Sequence, residues 1–384
     1  MIGNDHKAMH KAIMNRPVPV LYVSHHADII GGGEISLLTL LKGLDREVWS
    51  PILVVPGEGR VAEYGRAMHI PTHVMPMPSC RWPNAAMRAG ISLLRRLIAD
   101  CRAELVHANG SRAMVYAALA RRTTKARTVW HVRVADSDGL LDRLLAASAD
   151  RIIVNSHAVG SRFQFVPQDK LVCIHNGIDP ADYDPVPAAD LTSFRRSYGI
   201  PADAPVVVSV GRFVPYKGYR FLIQAARRLA DRLPEIHWLL VGDGEERSSL
   251  ERLAKDLGLE RTLHFTGWLS RPQLALAAGQ VFVLPSLGEH FGRVLLEAMA
   301  MRKAVVATNA GGAREIVRAG YTGVLVPPSD SQALAEAVQG LLANRPLADY
   351  LGANGRHRVE TCFTLDRHLQ AVGNLYRSLL FGQP

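Results

Sequence analysis

The sequence has few cysteines, and their spacing predicts neither a disulfide framework nor a zinc site. They are far apart and form no CxxC pair, at Cys80, Cys101, Cys173 and Cys362. No apolar run reaches the roughly 18 residues that a membrane-spanning helix needs. Residues 1–16 lack the apolar core of a secretory signal, so we expect a flexible N-terminal tail there. A reducing cytoplasm is the setting that these absences favour.

Signatures of two common ligand classes are also missing. The segment 242–244 (Gly-Asp-Gly) lacks the third glycine of a dinucleotide fingerprint, because Arg247 stands in its place. No P-loop lysine follows a glycine-rich loop. The basic part of the chain has few aromatic residues and no RRM, KH or zinc-finger signature. We therefore expect neither a nicotinamide cofactor nor a nucleic-acid partner.

Positive charge is concentrated in one part of the chain. The net charge is +10, and positions 81–133 hold eleven Lys or Arg against two acidic residues. A helix predicted over Asn84 to Arg102 carries an apolar stripe, made of Met87, Ile91, Leu94 and Ile98, and arginines along its edge, at Arg88, Arg95 and Arg102. An ordinary helix packed on a sheet satisfies this pattern. A helix lying at an anionic membrane surface satisfies it as well.

Strand-like and helix-like segments alternate along the whole chain, which predicts an α/β fold with parallel sheets. At 384 residues the chain is long for a single core, so we expect two domains. The Pro- and Asp-rich segment 179–190 reads as a linker between an N-terminal domain, 17–178, and a C-terminal domain, 191–364. A closing helix is predicted over 365–384.

Polar residues follow several predicted strands of the N-terminal half. Parallel sheets bind ligands at the carboxyl ends of their strands. The histidines near these ends are His25, His107, His131 and His157. The glycine loop 31–33 sits between a strand and a helix, which is the arrangement of a phosphate cradle or of a simple turn.

The stretch 285–300 contains two carboxylates eight positions apart, Glu289 and Glu297. It follows a buried-strand pattern, and we expect its helix to start near Phe291, after which Gly292 allows close approach to the backbone. A helix N-terminus suits a phosphate, whereas a nearby Glu suits hydroxyl groups. The stretch therefore predicts a ligand that carries both, or else an amphipathic helix with one exposed Glu.

Two cations, Arg212 and Lys217, follow another predicted strand. In that position they can neutralise a diphosphate leaving group, whose negative charge grows during transfer. A DxD pattern at Asp136 and Asp138 is the kind that holds a metal–diphosphate in some transferases, but no further hard ligand lies near it. We predict no metal site.

Taken together, these segments resemble the retaining GT-B glycosyltransferases of family 4, the group 1 glycosyltransferases. The resemblance covers nearly the whole chain. Its segments are GGGEISLL at 31–38, WHVR at 130–133, HNGID at 175–179, GRFVPYKG at 211–218, VGDGEE at 241–246, FTGW at 265–268, PSLGEHFGRVLLEAMA at 285–300, AGGAREIV at 310–317 and GVLVPPSD at 323–330.

The resemblance implies two Rossmann-like parallel-sheet domains facing across a cleft, with a nucleotide-sugar held by the C-terminal one and the last helix crossing back to the first. It implies catalytic roles for Arg212, Lys217, Glu289 and His131. Arg212 and Lys217 would bind the diphosphate, Glu289 the donor sugar and His131 the transferred sugar. The other implied donor-binding residues are Gly31, Gly32, Gly33, Gly211, Gly242, Trp268, Leu269, Phe291, Gly292 and Glu297.

The expected function is sugar transfer with retention and without a metal or cofactor, from a donor such as a UDP- or GDP-sugar to a glycan or lipid-linked acceptor in surface polysaccharide or lipopolysaccharide-type biosynthesis. The expected location is the cytoplasm, with peripheral membrane contact through Asn84 to Arg102 as an open alternative. Two other functions stay open: a sugar-nucleotide epimerase of the same architecture, and a non-catalytic nucleotide-sugar-binding or membrane-associated protein.

Overall fold

A computed structural model describes residues 16–79 and 84–382 as two compact units. The first unit comprises residues 1–177 with 365–384, and the second comprises residues 178–364. The predicted tail, up to residue 15, and Cys80 lie outside the described residues.

The first unit contains a seven-stranded parallel sheet in the order β3-β2-β1-β4-β5-β6-β7. Its strands are β1 (Val18–Ser24), β2 (Trp49–Val55), β3 (Thr72–Val74), β4 (Leu105–Asn109), β5 (Arg127–Val132), β6 (Arg151–Val154) and β7 (Leu171–Cys173). Its α-helices are α1 (Gly32–Gly43), α2 (Arg60–Ala67), α3 (Ala85–Asp100), α4 (Ser111–Ala120), α5 (Leu140–Ser148), α6 (His157–Gly160) and, at the end of the chain, α15 (Leu365–Phe381).

Both faces of this sheet are buried. Along β1, Leu21 and Val23 join one apolar cluster, while Val20 and Tyr22 join another. The alternation follows from the two-residue period of a strand, and burial on both faces explains the continuous apolar sequence.

The second unit contains a six-stranded parallel sheet in the order β10-β9-β8-β11-β12-β13. Its strands are β8 (Val206–Val210), β9 (His237–Val241), β10 (Leu263–Gly267), β11 (Val281–Leu284), β12 (Ala304–Thr308) and β13 (Val324–Val326). Its α-helices are α7 (Ala188–Ser197), α8 (Tyr219–Ala230), α9 (Arg247–Asp256), α10 (Gln273–Ala278), α11 (Arg293–Ala300), α12 (Ala313–Ile316), α13 (Ser331–Ala343) and α14 (Arg345–Cys362).

The segment predicted as a linker, 179–190, is structured and belongs to the second unit. Pro180–Tyr183 forms a 3₁₀ helix, capped by the Asp179 carboxylate, which accepts a hydrogen bond from the amide of Ala181. Tyr183 is buried in the apolar core, and α7 already begins at Ala188. Proline and aspartate act here as helix-capping residues rather than as linker residues.

The apolar stripe of α3 packs against the core of the first unit. Met87, Leu94 and Ile98 are buried, and Ile91 packs against the same cluster. The stripe is therefore part of the apolar core and does not face a bilayer. Arg88, Arg95 and Arg102 are exposed. Within the described part of the chain, no helix is both long enough and apolar enough to cross a membrane.

Candidate functional site

Lys217 and Glu289 form a buried ion pair in the second unit. The Lys217 Nζ lies 2.6 Å from Glu289 Oε2, and both side chains are largely shielded from solvent, with exposed fractions of 12% and 6%. Lys217 ends a 3₁₀ helix, Pro215–Lys217, in the loop after β8, and Glu289 lies in the loop after β11. Because β8 and β11 are neighbours in a parallel sheet, their carboxyl ends bring these two residues together.

The loop that carries Glu289 is fixed by hydrogen bonds on several sides. The Ser286 hydroxyl donates to Glu289 Oε2 at 2.9 Å. The Thr308 hydroxyl donates to the backbone carbonyl of Ser286, and the amide of Gly312 donates to the carbonyl of Glu289 at 2.7 Å. Gly311 has a φ of 57°, and a Cβ there would collide with the Glu289 backbone. The carboxylate therefore projects from a loop with little freedom to move.

Glu289 is a carboxylate in the folded protein. Burial alone would raise the pKa of its carboxyl group, but the charge and hydrogen bond of Lys217 and the hydroxyl of Ser286 outweigh burial and lower that pKa. An ionised carboxylate in this position accepts hydrogen bonds from hydroxyl groups and does not donate a proton to them.

Arg212, the other predicted cation, lies in the same loop and is exposed. Its Nη2 donates to the Tyr216 hydroxyl at 3.0 Å. Lys217 Nζ lies 5.4 Å from the centroid of the Tyr216 ring. The centroids of the Tyr216 and His290 rings are 5.3 Å apart. Tyr216 thus links the two cations, a role that spacing did not reveal.

Gly211 and Gly242 allow two strand-end loops to touch. Gly242 has a φ of 141°, and a Cβ there would collide with the carbonyl oxygen of Gly211. The amide of Gly242 donates to the carbonyl of Gly267 at 2.9 Å, which ties β9 to β10 just before Trp268. Trp268 is 59% exposed, whereas Leu269 packs partly against the core. The geometry gives both glycines a structural reason besides the predicted donor contact.

The helix after Glu289 begins two residues later than expected. Gly292 is its N-cap with a φ of 98°, and α11 runs from Arg293. The left-handed φ of Gly292 breaks the helix at that residue, so the loop extends past Phe291. The Phe291 side chain is buried against Phe363.

Glu297 lies on the second turn of α11, as predicted, and is buried. Its Oε1 accepts a hydrogen bond from Arg293 Nε at 3.0 Å. The sequence did not single out Arg293, although the spacing of four residues on a helix favours such a pair.

In the first unit, the glycine loop 31–33 forms the N-terminus of α1. Gly31 is the N-cap, and its amide donates to Glu34 Oε2 at 3.1 Å. A Cβ on Gly33 would contact the Arg133 side chain at 3.4 Å, so this loop lies next to Arg133. The Glu34 carboxylate already occupies one amide of the predicted phosphate cradle.

His131 lies at the end of β5 within a buried polar chain. Nδ1 of His131 lies 3.2 Å from Nε2 of His107. The other ring nitrogen of His107, Nδ1, lies 2.6 Å from the hydroxyl of Tyr376 on α15. The Tyr376 hydroxyl in turn lies 3.3 Å from that of Tyr22. Burial, followed by the charge of Arg133, lowers the pKa of His107 to about 3 and that of His131 well below its ordinary value. Both imidazoles are therefore neutral at pH 7.

Arg133 decides which nitrogen of His131 carries the proton. Its Nη2 lies 3.3 Å from His131 Nδ1, and a guanidinium only donates hydrogen bonds. Nδ1 must therefore be the acceptor, and Nε2 carries the proton. Nε2 is buried and has no hydrogen-bond partner within residues 16–79 and 84–382. His131 thus has a buried N–H donor with no partner among the described residues.

Asn109 and Asn176 hold Arg133 in place. Their side-chain oxygens accept from Arg133 Nε at 2.8 Å and from Nη1 at 2.7 Å. These two residues come from β4 and from the loop after β7, so sequence spacing could not have joined them. The sequence predicted only that polar residues at the strand ends of this sheet lie close together.

The Asp136–Asp138 pattern is accounted for in part by an ion pair. Asp138 Oδ2 lies 3.2 Å from Arg162 Nη2. Arg162 also forms a buried pair with Asp142, which in addition accepts from the Ser137 hydroxyl at 2.9 Å. The acidic cluster therefore neutralises a buried arginine.

Comparison with known families covers most of the chain. Residues 30–182 match the model described as Glycosyltransferase Family 4, and residues 190–358 match the model described as Glycosyl transferases group 1. Every site residue discussed above in the second unit falls within the second match, while His131 and Arg133 fall within the first.

Curated relatives match over part of their length. A lipopolysaccharide core biosynthesis glycosyltransferase, LpsE, of Rhizobium meliloti (strain 1021) is 37% identical over 50% of this chain and 54% of its own. A GDP-mannose-dependent phosphatidylinositol monomannoside mannosyltransferase of Mycolicibacterium smegmatis is 36% identical over 56% of this chain and 59% of its own. The chain thus spans about half the length of the curated relatives it matches.

Solved structures match over almost the whole chain. Anabaena HepE, crystallised with UDP and glucose, is 25% identical with a TM-score of 0.83, and the match covers 94% of this chain and 99% of HepE. A sucrose-phosphate synthase of Thermosynechococcus elongatus is 25% identical with a TM-score of 0.81, over 95% and 100% of the two chains. The chain belongs to the group 1 glycosyltransferases of family 4, and its two Rossmann-like parallel-sheet units have the GT-B architecture.

Proposed function

We propose that the protein is a retaining, metal-independent glycosyltransferase. It moves a sugar from a nucleoside diphosphate donor to a glycan or lipid-linked acceptor of a surface polysaccharide or lipopolysaccharide. The observation that carries the proposal is the buried Lys217–Glu289 pair at the ends of two neighbouring strands. The names of the relatives, which act on lipopolysaccharide core and on a phosphatidylinositol mannoside, support the acceptor class.

The pair supplies two recognition elements for a nucleotide-sugar. Lys217 and Arg212, which both contact Tyr216, offer positive charge to the diphosphate. As the bond to the sugar breaks, negative charge grows on the diphosphate, so cations stabilise the transition state more than the bound donor. Glu289 offers a carboxylate to the hydroxyl groups of the sugar, since it is ionised and held in place.

We assign retention to attack from the same face, without a nucleophilic role for Glu289. One of its oxygens already accepts from both Lys217 and Ser286, and this engagement favours hydroxyl binding over nucleophilic attack. Attack by the acceptor from the face that the diphosphate leaves, with the departing oxygen taking the acceptor proton, forms the new glycosidic bond without a covalent enzyme intermediate. His131 contributes a neutral N–H donor for a sugar oxygen.

A turnover experiment tests this function. The full chain is incubated with UDP- and GDP-sugars, with and without a bacterial lipid and glycan extract, and the anomeric configuration of any product is read by NMR. Acceptor-dependent release of nucleoside diphosphate with the donor's configuration kept supports the proposal. Conversion of the sugar nucleotide without an acceptor would instead indicate an epimerase, and binding without turnover would indicate a non-catalytic protein.

We also propose that electrostatic attraction holds the protein at the cytoplasmic face of a bilayer, where it binds a lipid-linked acceptor. The exposed Arg88, Arg95 and Arg102 on and after α3 suit anionic headgroups, while the apolar stripe stays in the core. Replacing all three with Glu should abolish sedimentation with anionic vesicles. Sedimentation that is unchanged by these replacements would contradict this part of the proposal.

A further inference from the structure

Three metal-ligating side chains of the first unit lie together apart from the candidate transfer site. They are His157, Cys173 and His175, and their ligand atoms all lie within 4.8 Å of one another. We propose that these side chains form a binding site for one divalent zinc ion. The inference does not depend on the proposed glycosyl transfer.

The fold explains why the three side chains meet. Cys173 is the last residue of β7, and His175 lies two residues further, so in an extended chain both point to the same side. β6 is the parallel neighbour of β7, with Val154 opposite Cys173. His157 follows β6 by three residues and opens α6, so it reaches the same edge of the sheet.

The observed distances are close to those of a zinc site. Zn–N and Zn–S bonds of about 2.1 and 2.3 Å place tetrahedral ligand atoms roughly 3.4 to 3.6 Å apart. Cys173 Sγ lies 3.8 Å from His175 Nε2, and the rings of His157 and His175 are 6.0 Å apart between centroids. Small side-chain rotations are enough to bring all three around one ion.

Hydrogen bonds to other elements hold the backbone of the site in place. Nδ1 of His368, on α15, donates to the His175 carbonyl at 2.8 Å. The next side chain, Asn176, is bound to Arg133. On the other strand, the Ser156 hydroxyl accepts from the amide of Val159 and caps the turn that carries His157. Such support keeps ligands in place without the metal and lowers the cost of binding.

The ligand set selects the kind of ion. Two imidazoles and a thiolate suit a borderline-soft ion such as Zn²⁺, whereas Mg²⁺ and Ca²⁺ prefer oxygen ligands. Binding converts the Cys173 thiol to a thiolate, and the proton passes to the buffer. Three protein ligands leave a fourth position to water or a small anion, and the exposure of His157 gives the ion a route in from solvent.

Cysteine spacing did not reveal this site because only one of its ligands is a cysteine. The Cys-x-His pair at 173–175 is a local signal, but the third ligand comes from the neighbouring strand. The proposed site departs from the expectation, drawn from the cysteine spacing and the DxD pattern, that the chain has no zinc or other metal site. The proposed zinc has no part in the sugar transfer.

The test uses the full chain without a polyhistidine tag, first freed of metal with a chelator. Co²⁺ serves as the spectroscopic probe, because a cobalt–thiolate bond gives a near-ultraviolet charge-transfer band. Zn²⁺ is then added to displace Co²⁺, and elemental analysis gives the stoichiometry. The variants are Cys173→Ser and His157→Ala, with Cys362→Ser and His73→Ala as controls at a free cysteine and an exposed histidine elsewhere.

We expect one Zn²⁺ per chain and a charge-transfer band that disappears in Cys173→Ser. Zn²⁺ affinity should fall at least about tenfold in His157→Ala, whose exposed side chain can be removed without disturbing the fold. Both controls should behave as the parent protein, and circular dichroism should confirm that each variant is folded. Cobalt binding without the band, a band that survives in Cys173→Ser, or no Zn²⁺ retained at micromolar concentration would overturn the proposal.

Discussion

At the scale of single residues, the ionised state of Glu289 affects both the stability of the second unit and the proposed binding of sugar hydroxyl groups. A buried carboxylate is tolerated because Lys217 and Ser286 compensate for its lost hydration. The same contacts hold it ready to accept hydroxyl groups. The stability of this carboxylate and its proposed function therefore rest on the same contacts.

Replacing Lys217 with Met should destabilise the second unit, because it leaves the Glu289 charge buried without a counterion. The expected loss is about 3–5 kcal/mol of the free energy of unfolding. Adding Glu289→Gln to Lys217→Met should recover part of this loss, since the unpaired charge is then gone. Urea unfolding of Lys217→Met, Glu289→Gln and the double variant gives the coupling energy between the two side chains.

The exposed pair Arg227–Asp231 on and after α8 is the matched control. It should show no measurable coupling in the same cycle, because solvent screens exposed charges. A coupling for Lys217 and Glu289 as small as that of the control would contradict the buried ion pair.

The neutral histidines predict how stability changes with pH. Burial lowers the pKa of His107 to about 3, whereas the unfolded imidazole titrates near its ordinary value of 6.5. Below that value the unfolded chain binds more protons than the folded one, so stability falls as the pH falls. Each such histidine contributes up to about 1.4 kcal/mol per pH unit.

Urea unfolding between about pH 7.5 and pH 5.5 measures this effect before most carboxylates titrate. The dependence on pH should be shallower in His107→Asn, which removes one titrating group, and unchanged in the exposed control His73→Asn. Equal slopes in His107→Asn and the parent protein would show that His107 does not titrate as the structure indicates.

At the scale of elements, substitutions in α3 test whether its apolar stripe is packed in the core or faces a membrane. Leu94 is fully buried, while its neighbour Leu93 is 42% exposed. Leu94→Ala should therefore lower the free energy of unfolding by about 2–5 kcal/mol, as removal of a core leucine does. Leu93→Ala should change it far less. Equal and small effects of the two substitutions would mean that the stripe is not part of the core.

The helix α15 brings Tyr376 to the histidine chain, where its hydroxyl lies 2.6 Å from His107 Nδ1. Tyr376→Phe should leave His107 Nδ1 buried without a partner and cost about 1–3 kcal/mol of stability. It should also lower the turnover rate of sugar transfer more than donor affinity, because the His107 ring, which lies against His131 Nδ1, loses the hydroxyl that holds it in position. The exposed Tyr64→Phe is the control. A turnover rate unchanged in Tyr376→Phe would show that the hydroxyl does not position His131.

The elements also show what the sequence could predict. Strand ends and their polar residues were predictable, because buried parallel strands are apolar and contain few interruptions. The start of α11 was not, since it depends on the left-handed φ of Gly292. The contacts of Arg133 with Asn109 and Asn176 were not predictable either, because they join three segments that are far apart in sequence.

Composition could neither place 179–190 in the second unit nor decide between the two alternatives for the α3 stripe, for a similar reason. Composition describes what a segment can do in isolation, whereas burial of Tyr183 and Leu94 depends on what packs against them. The two carboxylates Glu289 and Glu297, in contrast, lie before and within α11, in the stretch where the sequence placed them.

At the scale of the whole molecule, the proposed sugar transfer requires that the second unit bind a nucleoside diphosphate. Two matched variants test this with little risk to the fold. Arg212→Gln removes an exposed cation of the proposed site, and Arg232→Gln removes an exposed cation just beyond the other end of α8.

The most direct measurement is thermal stabilisation of the parent protein and these two variants by UDP, GDP, ADP and their sugar conjugates. A ligand at roughly 100 times its Kd adds about 2.7 kcal/mol to the free energy of unfolding, which is readily seen as a shift in Tm. We expect one nucleotide family to stabilise the parent protein and Arg232→Gln, and to stabilise Arg212→Gln markedly less at the same concentration. No shift with any nucleotide, or equal shifts in all three proteins, would contradict the proposed donor site.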